Sequence, residues 1–184
     1  MLVECMLGVN SIRSGWRCES CAGLISDLQS GWVEWIAAEG VNGKLEVSGL
    51  RLVHFRKTSP RSWEPCGCQY NPRDEFRRNG GIVEGLPLDR FAGPDGLMLV
   101  LSMIAEPVFP VEELIELAKR VLIPGYEAAS ELIHDAISEA VIAPATGGGF
   151  YLQSEICDVL EWAKHRTSAN TGNFKYQNRC VVSH

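Results

Sequence analysis

The stretch Cys18-Glu19-Ser20-Cys21, with His54 and Cys66-Gly67-Cys68 further along the chain, decides how the first half of this sequence folds. A C-x2-C turn lets two thiolates point at one cation, and a tetrahedral zinc site closes when distant segments supply two more sulfur or imidazole ligands. Four protein ligands leave no open position for a substrate, so such a site stabilises a fold rather than catalysing a reaction. We therefore predict a structural zinc ion (Zn2+) bound by Cys18, Cys21, His54 and Cys68.

The fourth ligand is the open point of this pattern, because the C-x-C offers one sulfur more than the site needs. Cys68 is favoured, since Gly67 frees its approach, whereas Cys66 directly follows Pro65 and stays the alternative fourth ligand. Unligated buried cysteines, a redox-active C-x-x-C and another metal are the alternatives to zinc.

The segment Cys18-Glu19-Ser20-Cys21-Ala22-Gly23 resembles a zinc knuckle, as found in zinc-ribbon and treble-clef modules. The resemblance implies a small β module built around zinc. Such modules usually take their second ligand pair from another C-x2-C, whereas here His54 ends a predicted strand. HNH-type nucleases also place a histidine at a strand end beside zinc-knuckle cysteines. Their catalytic arrangement requires a second histidine downstream. The next histidine here, His134, lies on a predicted helix of the other half, so a metal-dependent nuclease is the least favoured alternative.

Composition limits the class of protein. The 184 residues carry a net charge of −6, and residues 86–184 hold all of it, with seven Lys and Arg against 13 Asp and Glu. The sequence contains no run of eighteen apolar residues, so no membrane-spanning helix is predicted. The N-terminus lacks the basic and apolar regions of a secretory signal, and seven cysteines is an odd number. We therefore expect a cytoplasmic protein whose cysteines are reduced and available for metal binding.

The first half has the pattern of short strands. Residues 31–37 are aromatic and β-branched, Asn42-Gly43 predicts a hairpin turn, and residues 44–55 continue as a strand with a bulge at Gly49. Residues 79–96 are rich in glycine and proline and are interpreted as a linker. The sequence thus predicts an α+β protein: a zinc-stabilised β module over residues 1–85, a helical domain over 86–166 and a disordered tail over 167–184.

The helical half contains three predicted helices, over residues 97–105, 111–122 and 126–141, followed by a hairpin around three glycines over residues 142–152. This order resembles a winged-helix domain, in which the hairpin would be the wing. In DNA-binding members of that class the third helix contacts bases and phosphates. An acidic face would repel phosphates, so a protein partner suits this helix better. The exposed positions predicted for it are Glu127, Ser130, Glu131, His134, Asp135, Ser138 and Glu139.

The first half contains a basic segment. Residues 51–78 contain seven cationic side chains against three acidic ones, interleaved with four aromatic residues, a composition that suits nucleic acid. From all this we expect a non-enzymatic adaptor or regulator with a macromolecular partner, preferably a protein. The alternative is a nucleic-acid-binding transcriptional regulator that uses Arg51, Arg56, Lys57, Arg61, Arg73, Arg77 and Arg78.

Overall fold

The computed structural model describes residues 15–145 and 149–174, with side chains described as far as residue 166. It contains both helices and sheets, which confirms the α+β class. The chain divides into two compact units between Ile123 and Pro124. Residues 15–123 are called the β unit here, and the described residues from 124 to 174 are called the helical unit.

The β unit is built on a three-stranded antiparallel sheet. Strand β1 (Trp16–Arg17) pairs with β2 (Leu24–Ile25) in a separate hairpin, whereas β3 (Gly31–Glu39), β4 (Leu45–His54) and β5 (Ile82–Pro87) form the sheet in the order β4-β3-β5. The turn between β3 and β4 is closed by the hydrogen bond from Gly43 N to Gly40 O at 2.9 Å. The hairpin predicted at Asn42-Gly43 is therefore confirmed.

The bulge predicted at Gly49 is also present. Glu34 pairs with Arg51 while Ile36 pairs with Ser48, so β4 holds one extra residue opposite Trp35. Gly49 adopts a φ of +64°, and a Cβ there would lie 2.8 Å from the Tyr70 hydroxyl. A side chain at this position would therefore meet both backbone strain and a steric clash.

Both faces of the central strand β3 are covered. Val33, Trp35 and Ala37 alternate along one face and belong to the main core. Helices α2 (Gly93–Ala105) and α3 (Val111–Leu122) complete that core. Their buried contributions are Val100, Met103, Leu114 and Leu117.

The boundary predicted at residue 85 differs from the observed division, which lies between Ile123 and Pro124. The apolar faces of α2 and α3 are buried in the core of the sheet, so these helices belong to the β unit. The predicted linker 79–96 is not a linker either, because it contains β5 and a 3₁₀ turn over Leu88–Phe91. Gly85 lets β5 approach β3 closely, since a Cβ there would lie 2.6 Å from the carbonyl oxygen of Val33.

A short helix that the sequence pattern did not predict precedes β5. Helix α1 (Pro72–Asn79) begins after Asn71, whose side-chain oxygen accepts a hydrogen bond from Arg73 N at 3.1 Å, and it ends at Gly80 with a φ of +73°. Pro72 at the first helical position and Asp74 in the first turn are typical of a helix start. The density of prolines nearby concealed this pattern.

The helical unit contains α4 (Tyr126–Ser130), α5 (Ile133–Ser138) and α6 (Gln153–Phe174). Its core consists of Tyr126, Ala129, Ala136, Ile142, Ile156, Val159 and Leu160. The predicted continuous helix 126–141 is broken around Leu132, and no strand is assigned to residues 149–152. The winged-helix resemblance thus finds no support, since two of its three helices lie in the β unit.

Two further expectations concern the ends of the helical unit. The predicted disordered tail from residue 167 is corrected as far as Phe174, because α6 continues to that residue. Residues 146–148, which include two of the three glycines of the predicted wing, and residues 175–184 lie outside the described residues. No helix in the described part of the chain is long and apolar enough to cross a membrane.

Leu114→Ala tests whether α3 is part of the core of the β unit. Leu114 is fully buried in the main core, whereas the adjacent Ile115 is 44% exposed. We expect Leu114→Ala to lower the free energy of unfolding by about 2–5 kcal/mol because it leaves a cavity. The matched Ile115→Ala should cost less than about 1 kcal/mol. Urea denaturation of the full chain measures both, and equal losses would contradict this placement of α3.

Candidate metal centre

The turn between β1 and β2 carries the first two candidate ligands. Cys18 N donates to Gly23 O at 2.9 Å and Ala22 N donates to Cys18 O at 2.8 Å, so the turn folds back on itself. Gly23 N also points at Cys21 Sγ, 3.4 Å away. Backbone amides directed at sulfur stabilise a thiolate, and this geometry brings both cysteines to the same side of the hairpin.

The other two candidate ligands come from separate segments. His54 is the last residue of β4, and Cys68 lies in the turn-rich segment before α1. The Cys68 sulfur accepts a hydrogen bond from Ser59 Oγ at 3.2 Å. Gly67, with a φ of +61°, packs so closely against Ser59 that a Cβ there would lie 2.8 Å from it. A glycine is therefore needed for Cys68 to reach the cluster.

The structure brings Cys18, Cys21, His54 and Cys68 together, and these four residues are called the Cys3His cluster here. Their sulfur and imidazole ligand atoms all lie within 4.8 Å of one another. Nδ1 of His54 is 3.5 Å from Cys21 Sγ and 3.8 Å from Cys68 Sγ. Such a group can hold a metal ion. Cys66 is not part of it, in agreement with the preference for Cys68.

The tautomer of His54 suits this role. Its Nε2 lies 3.1 Å from the carbonyl oxygen of Leu24, which can only accept a hydrogen bond. Nε2 therefore carries the proton and donates it, and in the neutral ring Nδ1 keeps a lone pair directed at the sulfurs. Orientation of a ligating histidine by a backbone carbonyl is a common feature of metal sites.

The electrostatics of the cluster separate its thiols. Burial raises the pKa of Cys18, but hydrogen bonds with the backbone of Cys21, His54 and Ser20 outweigh it and bring the value to about 7. The pKa of Cys68 is raised to about 11, chiefly by burial, and the sulfurs of Cys21 and Cys18 raise it further. The hydrogen bond from the Ser59 hydroxyl acts in the opposite direction and lowers this pKa. Negative charge on one sulfur thus disfavours negative charge on the next, and a cation between them would remove that conflict.

The hairpin that carries Cys18 and Cys21 is attached to the end of α3. The Trp16 Nε1–H group donates to the carbonyl oxygen of Arg120 at 3.1 Å, and Arg120 Nη2 donates to Arg17 O at 2.9 Å. Arg120 also forms an ion pair with Glu19, which lies between the two cysteines. Glu19 in turn accepts a hydrogen bond from Leu52 N on β4. The hairpin is therefore tied to both α3 and the sheet.

A buried ion pair supports the segment that carries Cys68. Glu34 on β3 is 1% exposed, and its Oε1 accepts from Arg51 Nε at 2.9 Å, Arg51 Nη2 at 2.7 Å and Tyr70 N at 2.9 Å. The same Arg51 Nη2 lies 3.4 Å from the carbonyl oxygen of Cys68, and the guanidinium stacks on the Tyr70 ring at 3.4 Å. Glu34 and Arg51 thereby bind residues 68–70 to the sheet.

The seven predicted nucleic-acid-binding residues do not share one role. Arg51 is engaged with Glu34, Arg61 donates to the carbonyl oxygen of Ser20 at 3.1 Å, and Arg78 pairs with Glu75 at 3.0 Å. The remaining four cations are exposed and form no side-chain hydrogen bond or ion pair with another residue in the described ranges. They are Arg56, Lys57, Arg73 and Arg77.

Two of the described cysteines, Cys66 and Cys157, lie outside the cluster. Cys66 carries a free thiol, as do the three cysteines of the Cys3His cluster. Cys157 in the helical unit is disulfide-bonded. The expectation of reduced cysteines therefore applies to those of the β unit and is wrong for Cys157.

The sequence did not indicate the residues that support the cluster. Ser59 and the carbonyl of Leu24 act through contacts that only the tertiary structure creates. Glu34 carried a usable signal, because a carboxylate amid the apolar run Val33–Ala37 of a central strand needs a buried partner. Arg51 is the residue that meets this need from the neighbouring strand.

Comparisons with known proteins add no family. No family model matches the sequence, and no curated protein or solved structure matches it at a significant level.

Arg51→Met tests the ion pair through its pH dependence. Burial raises the pKa of Glu34 and the Arg51 guanidinium opposes this, so the variant should raise that pKa further. A carboxyl whose pKa is higher in the folded than in the unfolded state, where it is about 4.3, costs stability as the pH rises through that interval. We expect a loss of about 3–5 kcal/mol at neutral pH and a smaller loss in acid.

Urea denaturation of the wild type and the variant over a pH series measures this difference. Glu34→Gln provides the matched background, because its side chain has no charge to titrate. In that background Arg51→Met should cost the same at every pH. A cost that varies with pH equally in both backgrounds would contradict the assignment to Glu34.

Proposed function

We propose that the Cys3His cluster binds a structural zinc ion and that the chain is a non-enzymatic adaptor or regulator. In this proposal the β unit is a zinc-stabilised module that presents a binding surface to a macromolecular partner. The observation that carries it is the compact set of one imidazole and three thiol groups from three chain segments, all buried except the half-buried Cys21.

The observed distances support zinc. Zinc bonds of about 2.3 Å to sulfur and about 2.0–2.1 Å to nitrogen, at tetrahedral angles, place a sulfur and a nitrogen ligand about 3.6 Å apart. The two sulfur–nitrogen separations at His54 are 3.5 and 3.8 Å. A soft set of thiolates with one imidazole also favours zinc over hard cations such as magnesium or calcium.

The position of the cluster supports a structural role for the ion. Cys18 and Cys68 are 1% exposed and His54 is 5% exposed. Catalytic zinc keeps one position open to water or substrate, whereas four protein ligands fill a tetrahedral shell. The ion would therefore supply folding energy to a hairpin, a strand end and a loop that are separate in the chain.

The surface next to the cluster is better suited to a partner than the acidic segment 126–141. Glu139 of that segment is engaged within the helical unit, where it accepts a hydrogen bond from Trp162 and pairs with Arg166 at 3.2 Å. The segment between His54 and β5 instead exposes cations without partners among the described residues. We therefore place the contact surface on the β unit.

Purified chain should contain about one zinc ion per molecule, as measured by elemental analysis. Cys18→Ser and Cys21→Ser should each lose the metal and unfold the β unit, while the helices of the 124–174 region keep part of the circular dichroism at 222 nm. Cys66→Ser is the matched control, because Cys66 lies outside the cluster, and it should retain both the metal and the fold.

Two results would contradict the proposal. One is wild-type protein that is folded but free of metal after purification without chelator. The other is loss of the metal in Cys66→Ser to the same extent as in Cys21→Ser.

A further inference from the structure

Helix α1 presents an exposed aromatic ring and two arginine side chains on one side of the helix. Arg73, Phe76 and Arg77 are spaced by three and one residues and span about 100° of the helix circumference. Phe76 is 65% exposed, although a phenylalanine on a small domain is usually buried. Glu75 is 5% exposed and points away from them into the protein, where Arg78 pairs with it. This set of three side chains is called the α1 face here.

Residues 51–78, the basic segment that contains most of α1, expose a second ring and two more cations. Trp63 is 76% exposed, and Arg56 and Lys57 lie in the 3₁₀ turn that follows His54. The two other aromatic residues of the segment are packed: Phe55 contacts Trp32 at 5.5 Å between ring centroids, and Tyr70 lies under Arg51. Phe76 and Trp63 are thus the two exposed aromatic rings of residues 51–78.

We propose that the α1 face binds single-stranded nucleic acid, with Arg73 and Arg77 on phosphates and Phe76 stacked on a base. This rests on the proposed function, because the zinc ion would hold the segment that leads into α1. Guanidinium groups bind phosphate oxygens in a bidentate manner, and an exposed ring offers a stacking surface to any unpaired base. Trp63 would provide a second stacking surface.

The chemistry favours a single strand over the other anionic partners. In duplex DNA the bases are stacked on one another, so their faces are not open to an exposed phenylalanine, and only the phosphates would be contacted. An acidic protein would satisfy the arginines and leave the ring without a matching surface. Stacking and charge together are needed to account for all three side chains.

The test is fluorescence anisotropy of a labelled 15-nucleotide oligo(dT) or oligo(U) with the full, zinc-analysed chain at low salt. Arg73→Gln/Arg77→Gln should weaken binding and lower the slope of log K against log salt by about 1.4, since each phosphate contact on a single strand contributes about 0.7. Phe76→Ala should weaken binding roughly 5- to 100-fold with little change in slope.

Two matched controls isolate this surface. Arg90→Gln removes an exposed arginine from the turn after β5, and Phe150→Ala removes a ring that is 66% exposed in the helical unit. Both should leave the affinity unchanged. An unlabelled duplex of equal length should compete more weakly than the single strand.

Failure of this inference and failure of the zinc proposal give different results. Zinc-loaded, folded protein that does not bind the oligonucleotide would overturn the inference alone, as would equal losses in Phe76→Ala and Phe150→Ala. Displacement of the oligonucleotide by an acidic peptide more readily than by a single strand would overturn it in favour of a protein partner. Folded protein without metal would overturn the zinc proposal instead.

Discussion

The close approach of three sulfurs and one imidazole is the constraint on which the β unit depends. The ligand atoms lie within 4.8 Å of one another, and the neighbouring Cys18 adds to burial in raising the pKa of Cys68. Such crowding is stable only with protons or a cation between the ligands. With a cation bound, three segments that are separate in sequence would become one small framework.

A second polar arrangement extends that framework into the sheet. The main core covers one face of β3 with apolar side chains, but the other face carries Glu34, which requires a cation in the interior. Arg51 provides this positive charge. Its guanidinium also donates a hydrogen bond to the carbonyl oxygen of Cys68 and stacks on the Tyr70 ring. The end of the loop before α1 is thus held twice, by the Cys68 sulfur at the cluster and by hydrogen bonds of Cys68 and Tyr70 to the sheet residues.

The sequence pointed to the four residues that meet in the Cys3His cluster but not to the observed boundaries, and both results have a physical cause. Cys18, Cys21, His54 and the Gly67-Cys68 pair could be selected because ligand spacing and glycine freedom are local properties. The hairpin at Asn42-Gly43 and the bulge at Gly49 are local in the same way. The assignment of α2 and α3 to the β unit depends instead on which apolar face meets which, and no spacing along the chain reveals that.

The link between Trp16 and Arg120 has a consequence for how the chain is made. The hairpin with the first two ligands leaves the ribosome early, whereas the helix end that receives it is synthesised about a hundred residues later. Contacts this distant in sequence are costly to close and form late in folding. Until Arg120 has emerged, the early hairpin can be held to β4 through Glu19 and Leu52 but lacks its contacts with the end of α3.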